Sequence, residues 1–267
     1  MQHKARKRFG QNFLHDTGVI QSIVNAIYPR KEDNLIEIGP GLGALTTQLL
    51  PMAESMQVVE LDRDVIPHLE QACSGLGELK ITQADALNFD FTSLMVADKK
   101  LRIVGNLPYN ISTPLLFHLM AYAAQIQDMH FMLQKEVVDR MSAAPGNKHY
   151  GRLTIMLQYF CQVDKLFDVP PEAFDPAPKV DSAVVRLTPY SVLPVQVDNI
   201  ETYAMVVTKS FAHRRKTLRN NLKNLLSSDQ IEALGINPSA RAETLTQQQF
   251  ALLSNSLDAF QAQQSKS

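Results

Sequence analysis

Short apolar, β-branched runs recur at residues 34–38, 56–61, 79–82, 101–105 and 129–133, and stretches with helical periodicity separate them. This alternation restricts the fold more tightly than any other feature of the chain. Strands that alternate with helices pack as a mostly parallel, doubly wound α/β sheet with helices on both faces, and such sheets bind ligands at the carboxyl ends of their strands. Ahead of the first run, Ile20, Ile23, Val24 and Ile27 fall at i, i+3, i+4 and i+7 behind Asp16, a natural N-cap, and Pro29 stops the helix. Residues 163–169 and 182–187 are joined by the proline-rich residues 170–178 with no helix between them, so they are expected to close the sheet as an antiparallel pair, giving seven strands. Beyond Pro194 the sequence is helical in periodicity and rich in Gln, Asn and Leu. The expected division is an α/β domain over residues 1–190 and a small all-helical domain over residues 195–267.

Of the 267 residues, 45% are hydrophobic and 20% charged, a balance that excludes disorder and collagen-like repetition. Cys73 and Cys161 lie 88 positions apart; that spacing supports neither a disulfide framework nor a cysteine zinc site, and a reducing, cytoplasmic setting is expected. No apolar run approaches the roughly 20 residues of a membrane helix. The basic N-terminus leads into Asn12, His15 and Asp16 instead of a signal-peptide apolar stretch, so neither secretion nor a membrane partner is expected. The formal net charge of -1 conceals an uneven distribution. Lys4, Arg6, Lys7 and Arg8 open the chain without an acid, and Lys209, Arg214, Arg215, Lys216, Arg219 and Lys223 lie in an acid-free stretch over residues 202–228. Between them, residues 32–98 hold 12 acids. Two basic segments therefore flank an acidic middle.

The first strand runs into Glu37-Ile38-Gly39-Pro40-Gly41-Leu42-Gly43-Ala44, a glycine-rich turn opening a helix. Gly39, Gly41 and Ala44 satisfy the fingerprint G-x-G-x-x-G/A, which fits a dinucleotide or another adenosine ligand, or a plain tight turn. The second strand ends in Val59-Glu60-Leu61-Asp62, so Glu60 lies 17 residues beyond Gly43, where a carboxylate can accept both hydroxyls of a ribose. Asp62 reads as a surface helix cap. Asp85 ends the third strand, where it can accept from an adenine amino group or simply form a turn. The fourth strand decides between these readings, because it ends in Asn106-Leu107-Pro108-Tyr109. An amino or amide nitrogen is a poor nucleophile while its lone pair is delocalised, and methylating it requires acceptors that turn the lone pair toward the donor. The Asn106 side-chain oxygen and the Leu107 carbonyl, which Pro108 holds in extended backbone, are two such acceptors. Tyr109 can stack on the planar substrate.

Together with Gln11-Asn12-Phe13-Leu14, residues 37–43 and the segment Phe174-Asp175-Pro176-Ala177-Pro178-Lys179-Val180-Asp181-Ser182, this tetrapeptide closely resembles those of the bacterial small-subunit ribosomal RNA adenine dimethyltransferases, the kasugamycin-sensitivity enzymes. The resemblance spans nearly the whole chain, although Asp175 and Ala177 stand in a loop that is often more proline-rich in the family. It implies a Rossmann-like class I methyltransferase fold, S-adenosylmethionine as donor, and two adjacent adenosines near the 3′ end of 16S rRNA as acceptors, each dimethylated at N6. It further implies that Asn12 and Leu14 contact the donor's methionine part, Gly39 the floor of its site, Glu60 its ribose and Asp85 its adenine, with Gly41 also in the donor site, while Asn106 meets both donor and target base. Phe174 is similar to the family's second stacking aromatic.

Neither a histidine nor a metal is required by this chemistry, since a sulfonium is already a strong electrophile and the alkylated nitrogen loses its proton readily to solvent. His118 and His130 are expected to pack or cap. Arg215, Lys216, Arg219 and Lys223 share one face at helical spacing and Phe211, Leu218, Leu222 and Leu225 the other, which suggests a helix that packs on one side and meets RNA phosphates on the other. Residues 145–152, with hinge glycines and cations, read as a lid. The expected partner is the small ribosomal subunit or its RNA, and the expected state a monomer. The alternatives are a protein glutamine N-methyltransferase, an RNA-binding assembly factor with little turnover, and a transcription factor on the same scaffold.

Overall fold

The computed structural model describes residues 12–264, so Lys4, Arg6, Lys7, Arg8 and Gln11 lie outside the described residues. The chain separates into two compact units, Met1–Val138 with Gln162–Pro189 and Asp139–Cys161 with Tyr190–Ser267. In chain order the first unit holds β1 (Phe13–Leu14), α1 (Thr17–Ile27), β2 (Asn34–Ile38), α2 (Thr46–Ala53), β3 (Ser55–Glu60), α3 (Ile66–Cys73), β4 (Glu78–Gln83), β5 (Leu101–Asn106), α4 (Ser112–Met120), β6 (Ile126–Gln134), α5 (Lys135–Met141), β7 (Cys161–Val169), β8 (Phe174–Asp175) and β9 (Ser182–Pro189), with the unit boundaries falling inside α5 and after the first residue of β7.

Seven of these strands form one sheet in the order β4-β3-β2-β5-β6-β9-β7. The five strands from β4 to β6 are parallel, and β9 runs antiparallel to β6. All five residues of β2 are buried, as a strand covered by helices on both faces must be, whereas β4, at the edge of the sheet, has no buried residue. Strand order reverses at β2, with β3 on one side and β5 on the other. Chain connections diverge there and leave a crevice at the carboxyl ends.

Opposite that crevice, Arg102 at the start of β5 is buried between Asp33 and Asp128 and donates to the Ile27 carbonyl at 2.6 Å. It thereby caps the end of α1, whose N-terminus is capped as expected by Asp16 accepting from the Val19 N–H at 2.9 Å. His130 lies buried beside Asp128, and burial pushes its pKa down to about 4, so it is neutral. His118 contacts the Phe89 carbonyl at 2.8 Å.

The second unit contains α6 (Arg152–Phe160), α7 (Ile200–Ser210), α8 (Leu218–Leu222), α9 (Ser228–Ala233) and α10 (Gln247–Gln264). Its core is mainly aliphatic, with Val206, Leu218, Leu222, Ile231 and Leu253 buried, and includes aromatic pairs: Tyr159 meets Tyr203 with ring centroids 5.2 Å apart, and Phe211 stacks on Phe250 at 5.8 Å. The composition change after Pro194 marks the larger part of this unit. The inclusion of residues 139–161 comes from tertiary contact, among others Tyr159 against Tyr203 and Tyr150 Oη against the Leu245 carbonyl.

The basic run is not the single amphipathic helix that its spacing suggests. Asn221 Nδ2 donates to the Ser210 carbonyl at 2.7 Å and to the His213 carbonyl at 3.2 Å. That ties the chain into a turn over residues 211–217, so Arg214, Arg215 and Lys216 project from the turn, Arg219 from α8, and Lys223 caps α8. All five are exposed. The 145–152 loop is also tied down: Gly146 N–H donates to the Glu243 carbonyl at 2.7 Å, Tyr150 Oη to the Leu245 carbonyl at 2.9 Å, and Arg214 Nη2 to the Lys148 carbonyl at 2.6 Å. A lid would have to break those bonds.

Candidate active site

At the switch point the carboxyl ends of β2, β3 and β5 and the turn after β4 enclose a cavity of about 860 Å³. Its shape begins with glycine. Gly41 has φ of 55°, and a Cβ there would stand 3.3 Å from the Phe13 ring, so only glycine holds this turn without strain. Gly105 is required for a different reason: a Cβ would lie 2.5 Å from the Ile38 carbonyl oxygen. Without that side chain β5 approaches β2 closely, and Asn106 emerges beside the glycine turn.

Glu60 ends β3 with 6% exposure. Its Oε2 accepts from the Gly41 N–H at 3.1 Å and its Oε1 from the Asp62 N–H at 2.8 Å. Burial raises its pKa, and those two backbone donors partly offset the shift. The same carboxylate therefore shapes the glycine turn and faces the cavity. Asp85 follows β4 and accepts from the Leu87 N–H and from Asn88 Nδ2, both at 3.0 Å. It both forms a turn and lines the cavity. Asp62, in contrast to the surface cap expected, is buried, and its carboxylate accepts from the Asp64 N–H at 3.2 Å.

The Asn-Leu-Pro-Tyr segment is fixed from three directions. Asn106 Nδ2 donates to the Asn12 carbonyl at 3.1 Å, and turning the amide over would set two carbonyl oxygens against each other. The Asn106 Oδ1 is therefore the atom left to accept from a ligand. The Leu107 N–H donates to the Met132 carbonyl at 3.2 Å. Tyr109 Oη lies 2.7 Å from Ser182 Oγ, and burial raises its pKa, so it stays a neutral phenol.

Asn12, Leu14, Gly39, Gly41, Glu60, Asp85, Asn106, Leu107, Pro108 and Tyr109 all line this cavity. Phe174 does not. It is 3% exposed and packs in the core cluster with Leu14, Val24, Val169 and Val184. The cause is strand alternation: β8 pairs with β1, Leu14 opposite Phe174 and Phe13 opposite Asp175, and with Phe174 turned inward the next residues, Asp175 and Pro176, supply the cavity wall. The second stacking aromatic expected from the sequence is thus a buried support for that wall.

Glu37 is a cavity residue that the sequence reading passed over. It is 2% exposed, its Oε2 accepts from Thr46 Oγ1 at 2.6 Å, and burial, with Glu60 adding to it, pushes its pKa up to about 7. The available signal was an acid inside an otherwise apolar parallel strand.

Carboxylates at the ends of adjacent strands, glycines that bring backbone N–H groups close, and an amide oxygen facing the same space form a cavity able to hold a nucleoside and present a second planar group to it. The family described as ribosomal RNA adenine dimethylase matches residues 2–259. The chain is 57% identical over 255 residues to a ribosomal RNA small subunit methyltransferase A from Saccharophagus degradans, covering 96% of this chain and 95% of the relative. It is 55% identical over 259 residues to a protein of the same description from Vibrio vulnificus, covering 97% of each. Among solved structures it is similar to a dimethyladenosine transferase from Plasmodium falciparum, with a TM-score of 0.76, 27% identity, and coverage of 90% of this chain and 95% of that one. It is also similar to the 23S rRNA methyltransferase ErmE, with a TM-score of 0.74, 25% identity, and coverage of 92% and 100%.

Proposed function

The chain belongs to the ribosomal RNA adenine dimethylase family, and from that premise we propose that it dimethylates the N6 amino groups of two adjacent adenosines near the 3′ end of 16S rRNA, with S-adenosylmethionine as donor. The observation that carries this reading is the Asn106 amide, held by the Asn12 carbonyl so that its oxygen faces the cavity. The much higher identity to small-subunit methyltransferases than to ErmE favours the small subunit over the large.

The donor supplies an electrophilic methyl group when bound. Glu60 accepts from its ribose hydroxyls, Asp85 from its adenine amino group, Asn12 and Leu14 lie at its methionine part, and Gly39 and Gly41 form the floor. Asn106 Oδ1 and the Leu107 carbonyl accept the two N–H groups of the target adenine, which turns the nitrogen lone pair out of conjugation, and Tyr109 stacks on the ring. Positioning and electrostatics carry the rate. After the first transfer one N–H remains, so the second transfer proceeds with one of these acceptors disengaged.

In this reading the first unit carries catalysis and the second, of which residues 195–267 are the larger part, binds RNA, in a monomer that works in the cytoplasm. No helix among the described residues is long and apolar enough to cross a membrane. The reading is tested by incubating the protein with labelled S-adenosylmethionine and undermethylated small subunits, then analysing nucleosides by mass spectrometry. N6,N6-dimethyladenosine in 16S rRNA is expected. Label only in protein or in large-subunit RNA would overturn the assignment.

Donor recognition is expected to fail piecewise. Glu60→Ala and Asp85→Ala each remove a charge-assisted hydrogen bond worth about 1.5 to 3 kcal/mol, and calorimetry should register the corresponding fall in donor affinity. Unchanged affinity in either folded variant would remove that residue from the donor site.

The exposed cations Arg214, Arg215, Lys216, Arg219 and Lys223 form the phosphate-binding surface of the second unit. Replacing Arg215, Lys216 and Arg219 together with Gln should flatten the slope of log affinity against log salt by about two to three, at roughly 0.7 to 0.9 per lost contact. Donor binding should stay the same. A wild-type salt slope in the triple variant would show that these side chains are only solvated.

A further inference from the structure

Phe and Tyr stack on a base equally well, because both present the same ring face, so the phenol hydroxyl of Tyr109 needs a separate reason. Its partner is Ser182 Oγ, 2.7 Å away. Ser182 is fully buried, opens β9, and is fixed by register opposite Gln134 of β6. The residue before it is pinned as well, since the Asp181 carbonyl accepts from the Lys135 N–H at 2.9 Å. The Ser182 hydroxyl therefore cannot follow the ring if the ring moves. At its other end Tyr109 is held through its own carbonyl, which accepts from Ser112 Oγ at 3.1 Å. A half-buried aromatic side chain tethered at main chain and hydroxyl has little freedom left to rotate.

We propose that Ser182 is a positioning residue for methyl transfer: its hydroxyl holds the Tyr109 ring in the plane against which the target adenine lies. This rests on the reading that Tyr109 stacks on that adenine. The acceptors at Asn106 and Leu107 are fixed, so a ring free to tilt would tilt the base and misalign the amino group with them. Such misalignment lowers the rate of transfer without touching donor binding. The consequence is greater for the second methylation, where a single N–H remains to orient the amino group and the stacking plane supplies more of the alignment.

The test is a cycle of Ser182→Ala, Tyr109→Phe and the double variant, assayed on undermethylated small subunits for kcat, KM, donor affinity by calorimetry, and the ratio of N6-methyladenosine to N6,N6-dimethyladenosine. Each single variant is expected to lower kcat roughly fivefold to tenfold, the effect of losing one hydrogen bond, and to accumulate the monomethylated nucleoside. Donor affinity should be unchanged, and the double variant should be no slower than either single one, because both remove the same bond. Tyr109→Phe probes the bond without altering β9, so the outcome does not depend on Ser182→Ala folding well. Wild-type kcat and product ratio in Tyr109→Phe, or multiplicative losses in the double variant, would overturn the inference. Failure of the wild-type protein to form dimethyladenosine would instead overturn the function on which it rests.

Discussion

Asn106→Ala is expected to slow methyl transfer about a hundredfold while donor and RNA binding persist. The variant removes an acceptor that matters most as positive charge develops on the attacking nitrogen, and deleting such a group typically costs about 3 kcal/mol at the transition state. The structure adds a second arm to the test. Asn106 Nδ2 donates to the Asn12 carbonyl, so Asn106→Asp, which keeps the size and the acceptor, sets a carboxylate oxygen against that carbonyl and should also lose most of the rate. Single-turnover rates with saturating donor measure both variants. More than half the wild-type rate in Asn106→Ala would remove this residue from the reaction.

Glu37→Gln is expected to stabilise the protein at alkaline pH and to change little in acid. The Glu37 carboxyl has its pKa raised from 4.5 to about 7, so the folded chain holds this proton more tightly than the unfolded chain does. Its contribution to stability is therefore fully present below about 4.5 and is lost as pH rises through about 7, a loss on the order of 3 kcal/mol. Glutamine can still accept from Thr46 and never ionises, so the variant escapes that loss. Glu60 shifts in the same direction and is present in both proteins, and the informative quantity is the difference between variant and wild type. Urea unfolding at pH 5 and pH 8 should show that difference growing with pH; parallel curves would mean that Glu37 is not buried as an acid. A carboxylate that costs folding energy near neutrality belongs to the cavity more than to the core.

Much of the fold follows from local pattern. Strand periodicity, continuous apolar runs and the glycine turn are properties of a few consecutive residues, and they located the parallel strands, the switch point and the strand ends that carry Glu60, Asp85 and Asn106. Amphipathic spacing served less well in the second unit, because it can show which residues would share a helix face but not whether the helix continues. Asn221 ends the helix by capping carbonyls 8 and 11 residues away.

The sequence by itself therefore determined the alternating α/β architecture, the glycine-built ligand turn and the identity of the acceptors at the strand ends, because each depends on neighbours along the chain. Only the tertiary structure decided how those acceptors are aimed. Asn106 is oriented by a carbonyl 94 residues away, and Tyr109 is tethered to a serine 73 residues away. Phe174 is drawn into the core by a two-residue ribbon with Phe13 and Leu14 that is too short to leave any periodicity. β9 enters the sheet between β6 and β7 although it follows both in the chain. The physical reason is common to all four: a hydrogen bond or packing contact between distant segments has no local signature, since the chain that closes the loop between them carries no record of where its ends will meet.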